Sequence, residues 1–334
     1  MALLGTKKLI LIEVEENELL LQQSSDFLAS ELSEQLTGPD YSVDALPDGA
    51  DAVLVTDLEI TPQSSDVVGR NLNYGHFGSS EQLLANTRVE CTFSVELTGS
   101  GVAGVAPQYG GALRGCGLRQ VSNSGVSISY YPASEFFGSV TIYYILDGVR
   151  HRITGARGTF DIAADVGQVP VINFSFTGIY NNPEDVTTPS ATYANQATPV
   201  VFSEGNTSGF QFFSYAGALS SVQFTLGNEI AYMDLINTNP KVLISDRQST
   251  GTLSIEAPAI SQKDYFSLAA SDETHGNLTF QHGQTAGNIF TFTSNRVNLD
   301  AVEYGDSDGI AELSMPFTTV PTTAGGDEFL MVFT

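Results

Sequence analysis

Alternation of apolar and polar side chains at every second position is the main pattern along this chain. In Val89–Leu97, apolar residues alternate with Glu90, Thr92 and Ser94. Period-two alternation is typical of a strand with one buried face, and it places Cys91 on that face. Similar apolar runs predict further strands at residues 140–146, 158–162, 169–177, 222–225, 242–244, 250–257, 278–282, 289–293, 296–302, 310–317 and 329–333.

Helical spacing is confined to short segments. Leu28, Leu32 and Leu36 are four residues apart, which predicts a helix over about residues 25–36, after one or two strands within residues 7–22. Asp147-Gly148 stands between two strand-like runs and favours a type I′ hairpin turn. Two further short helices are predicted at residues 108–116 and 261–270, the second with Ser261 as a candidate N-cap.

The second half of the chain resembles the first half in the order of its motifs, which indicates a tandem duplication. A ring built from a doubled β-domain needs half as many chains to close, so the duplication is a clue to assembly. The matches are Arg88 with Arg247, Thr92–Leu97 with Thr252–Ala257, Pro107–Leu113 with Ser261–Leu268, and Val171–Phe176 with Ile310–Met315.

The predicted class is mainly β, with two tandem duplicated sandwich- or barrel-like domains that each carry a short helix. A stretch rich in Asn, Thr and Pro, with little apolar periodicity, predicts an extended linker between them. The predicted division is an N-terminal arm at 1–51, a first domain at 52–180, the linker at 181–199 and a second domain at 200–334.

The net charge of the chain excludes further classes of function. The chain has 38 acidic and 13 basic residues, a formal net charge of −25. Such a surface repels nucleic acid and anionic membranes, which argues against a role in gripping DNA. Two interpretations stay open: simple solubility, or a surface that DNA must pass without sticking.

The sequence motifs that could indicate a nucleotide or metal site are each incomplete. Gly99–Gly104 matches GxGxxG, but no helix opens within the loop and no acidic residue follows at the required distance, so flexible loop glycines explain it better. Asp306–Gly309 lacks the later ligands of a calcium loop. The four histidines are dispersed, and the two cysteines cannot complete a zinc site. We therefore expect no enzyme activity, cofactor or metal, and no secretory signal or membrane span.

Several blocks resemble the major tail tube proteins of long-tailed, non-contractile bacteriophages. The resemblance covers the chain from about Ala52 to its end and leaves the role of the first residues undefined. It implies packed β-sheets with a flanking helix, stacked as rings around a channel through which DNA leaves the phage head. The blocks are Arg88–Leu97, Pro107–Gly117, Ile153–Phe160 and Asp246–Glu256.

The resemblance also implies partners and location. The partners are other copies of the chain, the tail tip and tail terminator proteins, a tape measure protein in the lumen, and genomic DNA in transit. The location is the virion tail, after assembly in the cytoplasm of the host bacterium. With the duplication, a pseudo-hexameric ring of three chains is expected.

Two alternatives stay open at this stage. One is a tube or needle subunit of a contractile tail or secretion machine. The other is a β-rich binding module at the virion tip, for which exposed aromatic platforms would be diagnostic. The predicted site is a loop for contact between stacked rings, with the N-terminal segment as a second candidate; its residues are Gly99, Gly101, Pro107, Tyr109, Arg114 and Gly117.

Overall fold

A computed structural model describes residues 7–15, 41–70, 72–134, 138–271, 275–307 and 309–334. Over these residues the chain is mainly β, with antiparallel strands and two short helices, as the alternation predicted. The helix predicted over residues 25–36 lies outside the described residues, and so does the part after residue 15 of the strands predicted within residues 7–22.

Among its described residues, the first half contains nine strands and one helix, α1, at Gly110–Gly115. A single 3-10 turn at Gly49–Asp51 precedes the second strand. The strands are β1 Lys8–Val14, β2 Thr56–Gly69, β3 Gln82–Glu96, β4 Leu118–Asn123, β5 Ser127–Pro132, β6 Val140–Leu146, β7 Val149–Asp165, β8 Val171–Tyr180 and β9 Glu184–Asp185.

In the part that the structure describes, the second half contains ten strands and helix α2 at Tyr265–Ala269. Between the halves, residues 186–206 contain no strand or helix. The strands are β10 Thr207–Phe212, β11 Leu219–Thr225, β12 Asn228–Met233, β13 Lys241–Arg247, β14 Thr250–Glu256, β15 Gly276–His282, β16 Phe290–Leu299, β17 Glu303–Ser307, β18 Ile310–Thr319 and β19 Leu330–Phe333.

Eight of these strands form one continuous antiparallel layer. Their order across the layer is β2–β3–β8–β7–β11–β14–β18–β17, with four strands from each half. The joint between the halves is the pairing of β7 with β11, in which Phe224 lies opposite Ile162. The two outermost strands of this layer are therefore β2 and β17.

A second layer covers the apolar face of the first. It consists of β4–β5–β19–β16–β15–β10, together with β1 and β6 packed along the N-terminal part of β7. The C-terminal strand β19 lies between β5 of the first half and β16 of the second. The strands of the two predicted domains are thus interleaved in this layer. The division into two domains stays a prediction.

One aromatic core fills the space between the layers and runs through both halves. Phe333 shows this continuity: its ring lies 6.2 Å from Tyr109, 5.9 Å from Tyr130 and 5.3 Å from Phe290. Aromatic pairs at these separations add to the free energy gained by burying apolar area. Cys91 and Cys116 are buried free thiols, as the alternation predicted for Cys91, and burial raises the pKa of both.

The order of pairing in the eight-stranded layer recurs in the two halves, but with a register that the sequence match did not give. Phe174 lies opposite Phe93, and Met315 lies opposite Leu253. Because Leu253 matches Phe93, the pairing equates Met315 with Phe174. The sequence comparison had matched Met315 with Phe176, two residues away.

Local details confirm some predictions and correct others. Asp147 and Gly148 have φ of 45° and 93° and connect β6 with β7, as expected for a type I′ turn. The N-cap of α2 is Asp264, whose side chain accepts a hydrogen bond from the Ser267 amide, so the candidate cap Ser261 was wrong. Residues 290–299 form one strand where two were predicted.

A buried carboxylate fixes the chain where β1 ends. Glu15 accepts hydrogen bonds from the Thr141 hydroxyl (2.9 Å), the Gly155 amide (2.7 Å) and the Ser42 amide (3.0 Å). It also accepts one from the Ser139 hydroxyl. Four donors satisfy a buried carboxylate well, which offsets the cost of removing it from water. The contact with Ser42 brings residues 15 and 42 together.

We expect Glu15→Ala to lower the free energy of unfolding by about 3–5 kcal/mol, because it leaves buried donors without an acceptor. Urea unfolding followed by circular dichroism measures the change. The matched control is Glu184→Ala, which breaks the half-exposed ion pair with Arg150 and should cost less than about 1 kcal/mol. Equal losses in the two variants would contradict the structural role of Glu15.

A second prediction concerns the spacing of β7 and β8. A Cβ added at Gly158 would lie 2.3 Å from the Ser175 carbonyl oxygen, so Gly158→Ala forces the two strands apart. We expect a loss of about 1–3 kcal/mol in the free energy of unfolding. The control is Gly305→Ala, where the nearest atom, Glu312 Cβ, is 3.8 Å from the added carbon. That variant should stay within about 0.5 kcal/mol of the wild type, and an equal loss would contradict the analysis.

Candidate functional site

The outer face of the eight-stranded layer is polar, because its side chains alternate with those that enter the aromatic core. Hydrogen bonds tie this face together across three strands. The Ser94 hydroxyl donates to Asn173 Oδ1 (2.7 Å), and Asn173 Nδ2 donates to Asp161 Oδ2 (2.7 Å). These side chains come from β3, β8 and β7, so the network stabilises one orientation of the polar groups on the middle of the sheet.

Carboxylates are spread over the whole of this face. Each of them is either next in sequence to a residue with its side chain in the core, or directly opposite a residue that is flanked by two core residues. None of them is buried. The alternation therefore directs them away from the second layer. The carboxylates are Glu59, Glu90, Glu96, Asp161, Asp165, Glu256, Glu303 and Glu312.

The arginines in these eight strands are paired with carboxylates or buried, so they offset little of the negative charge of the outer face. Arg88 is bound to Asp66 and Glu90, each at 3.1–3.3 Å. Arg157 is 2 % exposed and donates to the Val242 carbonyl (2.9 Å) beneath the hairpin formed by β12 and β13. Arg150 and Arg152, near the start of β7, pair with Glu184 and Asp44. The strands contain no lysine.

The two arginines matched by the sequence repeat have different surroundings. Arg88 lies at the surface with its two carboxylates, as described above. Arg247 is largely buried, with its guanidinium 2.7 Å from Glu328 and a hydrogen bond of 2.9 Å to the Ala133 carbonyl. Arg247 therefore links β13 to residues of both halves, whereas Arg88 belongs to the outer face.

A polar, mainly acidic face has a clear chemical consequence. Phosphate groups bind to basic side chains and to free backbone amides, and both are scarce on this face. An extended acidic surface repels a polyanion over roughly 8 Å at physiological ionic strength. The face is thus suited to being passed by nucleic acid without retaining it.

The six residues predicted for contact between rings do not form one exposed surface. Pro107, Tyr109 and Gly117 are buried within the chain, and the Tyr109 hydroxyl donates to the Thr98 carbonyl (2.6 Å). Arg114 is half-buried on α1. Their side chains mainly support the fold.

The glycine-rich part of this loop contacts the other half of the chain. The Gly99 amide donates to Asn288 Oδ1 (2.8 Å), and the Gly101 amide donates to the Gly287 carbonyl (2.9 Å). A Cβ at Gly99 would lie 2.1 Å from the same Gly287 carbonyl, so the close approach explains the glycine. Gly101 and Val102 are exposed. A contact between rings through this loop stays a prediction, limited to its exposed part.

The hairpin of β2 and β3 presents a surface that the sequence did not predict. Its outer part continues beyond Arg88, the first residue of β3 that pairs with β8. Apolar side chains are exposed there on both strands and on the connection between them, so the alternation that marks a half-buried strand is missing. They are Val67, Val68, Leu72, Tyr74, Phe77, Leu83 and Leu84.

The other sequence motifs do not form a ligand site in the described ranges. His282 is buried, and its two ring nitrogens contact the Thr207 hydroxyl and the Val200 carbonyl at 3.2 Å. His275 contacts Asn298. Over the residues that the structure describes, no group of three or more His, Cys, Asp or Glu side chains is arranged to hold a metal ion. Within the same residues, no helix is both long and apolar enough to cross a membrane.

Comparison with protein families identifies the family of the chain. A family model described as Phage tail tube protein matches residues 34–319. A search of curated proteins found no match. Because the family model covers most of the chain, the chain belongs to the phage tail tube protein family.

Proposed function

We propose that this phage tail tube protein forms rings of three chains that stack into a tube and enclose the channel for DNA ejection. Membership of the family makes it a structural tail tube subunit of the virion tail. The number of chains in the ring, the direction of the polar face and the passage of DNA are our proposals.

The observation that carries the proposal is the joint between β7 and β11. It connects an edge of the four strands of the first half to the opposite edge of the four strands of the second half. A head-to-tail contact of this kind closes into a ring when a whole number of equal rotations between neighbours makes one full turn. One such joint is already present inside each chain, which supports a tandem duplication and a pseudo-hexameric ring of three chains.

The layer would then continue from chain to chain. Three chains with eight strands each would close a barrel of twenty-four strands, with no free edge left. The aromatic core and the second layer lie on one side of the sheet. We place that side outward, so that the acidic face lines the channel and DNA slides past it.

Other partners follow from the same arrangement. The exposed tip of the β2–β3 hairpin and the exposed part of the loop at Gly101 are our candidates for contact between successive rings. The tape measure protein would occupy the lumen, and tail tip and terminator proteins would cap the tube. Assembly would take place in the host cytoplasm. The tube of a contractile tail or secretion machine remains the related alternative.

Negative-stain microscopy combined with mass measurement tests the ring. We expect rings or tubes with a central hole and three chains per ring. Six chains per ring would retain the tube and exclude the pseudo-hexamer. A chain that stays monomeric at high concentration, both alone and with preformed tube ends from phage particles as initiators, would contradict the proposal and favour the binding module.

Reversal of two carboxylates tests whether the acidic face lines the channel. In assembled tubes, Asp165→Lys with Glu256→Lys reverses two exposed carboxylates of the proposed lumen. We expect this variant to retain a short fluorescent DNA duplex at about 0.15 M salt, where the wild type does not, because lysines bind phosphate.

The position of the bound DNA separates the lumen from the outer surface. The matched control reverses Asp185 and Glu204, exposed carboxylates outside the eight-stranded layer. DNA held by the lumen variant should resist digestion by DNase I, and DNA held by the control should be digested. Digestion of both would place Asp165 and Glu256 on the outside of the tube.

A further inference from the structure

The strands of the two layers differ in charge. In the second layer, the six strands β4, β5, β19, β16, β15 and β10 contain no aspartate or glutamate. In the eight-stranded layer, six of the eight strands carry at least one acidic residue. Both sets are antiparallel strands of the same acidic chain, so the low β propensity of acidic residues does not explain the difference.

The outer side of these six strands, opposite the aromatic core, is an open sheet surface that we term the neutral face. One row of its side chains runs straight across all six strands, and every member is exposed or half-buried. Because neighbouring strands lie about 4.8 Å apart, this row is about 24 Å long. The row consists of Val121, Ser129, Val332, Thr291, Gln281 and Ser208.

Hydroxyl and amide groups predominate on the neutral face. A second row, about 7 Å from the first, includes Thr293 and Thr279, whose hydroxyls are 3.3 Å apart. It begins with Arg119 opposite Tyr131, and Arg119 is the one charged residue of the two rows. Binding surfaces are depleted of Lys, Asp and Glu and enriched in Tyr and Arg, whereas ordinary surfaces carry many charges. The composition therefore indicates a surface that binds a partner.

The first half covers the corresponding surface with its own chain. β1 pairs with β6 as β10 pairs with β15. The outer side of β1 and β6 is apolar, and Leu11 and Tyr143 are buried there against Ala52. Ala52 belongs to residues 15–55, which connect β1 to β2, whereas residues 213–218 alone connect β10 to β11. The second half thus has too short a connection to cover the neutral face, which is hydrophilic.

We propose that the neutral face binds an uncharged polysaccharide on the outside of the tube. This inference rests on the proposed function, because the orientation of the ring there places the second layer outward. Ser, Thr and Gln side chains both donate and accept hydrogen bonds, as sugar hydroxyls do. A polymer without charge forms these bonds without ion pairs, and the net charge of −25 does not repel it.

The shape of the face suits an extended polymer. Polar groups recur from strand to strand across a flat surface, so successive sugars of one chain find similar partners. The half-buried Tyr131 ring and the Val332 side chain offer apolar contact to the C–H groups of a sugar ring. Each contact is weak, and repetition along the polymer and between copies in a tube strengthens the binding.

Affinity electrophoresis of the full chain before assembly tests the binding. The uncharged probes are dextran, mannan and hydroxyethyl cellulose, each cast into a native gel, and dextran sulfate is the anionic counterpart of the first. We expect at least one uncharged polymer to retard the chain and dextran sulfate to leave its mobility unchanged. Retardation by none of the three uncharged polymers would overturn the proposal.

Substitution of Thr291, in the middle of the first row, locates the site. We expect Thr291→Lys and Thr291→Glu each to weaken binding of the uncharged polymer about tenfold, which corresponds to the loss of one or two hydrogen bonds. The matched control is Thr225→Lys, at an exposed threonine on the outer face of the eight-stranded layer, and it should keep the wild-type affinity. Circular dichroism checks that each variant folds.

The sign of the charge effect identifies a different occupant. Retention of dextran sulfate that Thr291→Lys strengthens and Thr291→Glu weakens would show an anionic polymer on the face and contradict the proposal. Equal affinity for the uncharged polymer in the wild type and both Thr291 variants would remove the site from the neutral face.

Assembled tubes separate this inference from the proposed function. Tubes sedimented with the same uncharged polymer should retain it at least as well as the single chain does. Binding by the single chain that is lost in tubes would overturn the outward position of the face. Tubes that bundle without polymer, and are dispersed by Thr291→Glu, would make a second copy the occupant. A chain that binds the polymer but forms no rings would overturn the proposed function alone.

Discussion

Backbone hydrogen bonding between β7 and β11 is the interaction on which the rest of this structure depends. It joins two sets of four strands into one layer, and it thereby fixes the relative positions of the strands that pack on the apolar face of that layer. Buried backbone amides and carbonyls need partners, so a sheet with apolar side chains on one face can end only where water or another strand meets its edge. The same requirement that unites the halves leaves β2 and β17 as the two ends of the layer.

The two layers are linked by strands that belong to both. The N-terminal part of β7 pairs with β6, and its C-terminal part pairs with β8 and β11. Strand β16 is a second link between the layers, because it pairs with β15 and β19 in the second layer and with β18 in the first. The position of β19 between β5 and β16, and the contacts of the Phe333 ring, join the two halves of the chain. Bending at the middle of the chain would break contacts in each layer, which suits a subunit that must keep a fixed curvature.

The sequence predicted the elements whose surroundings are simple. β6 was predicted with the bounds it has, because residues 140–146 are apolar and flanked by a turn. β2 was not predicted individually, since its outer half projects and neither face is regularly buried. The single strand β16 was divided at Ser294, a polar residue that is buried because its hydroxyl donates to the Glu328 carbonyl (2.6 Å).

The candidate site was harder to predict than the fold. The acids were counted, but their common face depends on pairings between residues far apart, such as Asn173 with Asp161. The loop around Tyr109 is predicted as a contact between rings, whereas most of it supports the core in the structure. Distant strand pairing leaves no local signal in one sequence, so β19 beside β5 could not be foreseen.

The closure of the chain at Glu15 has a consequence for how such a protein can vary. Because Glu15 accepts a hydrogen bond from the Ser42 amide, these two positions, which are 27 residues apart in sequence, lie next to each other in the fold. The entropic cost of lengthening a loop grows only logarithmically. A change in the number of residues between Glu15 and Ser42 should therefore cost little free energy of folding, as long as the Glu15 carboxylate keeps its four donors.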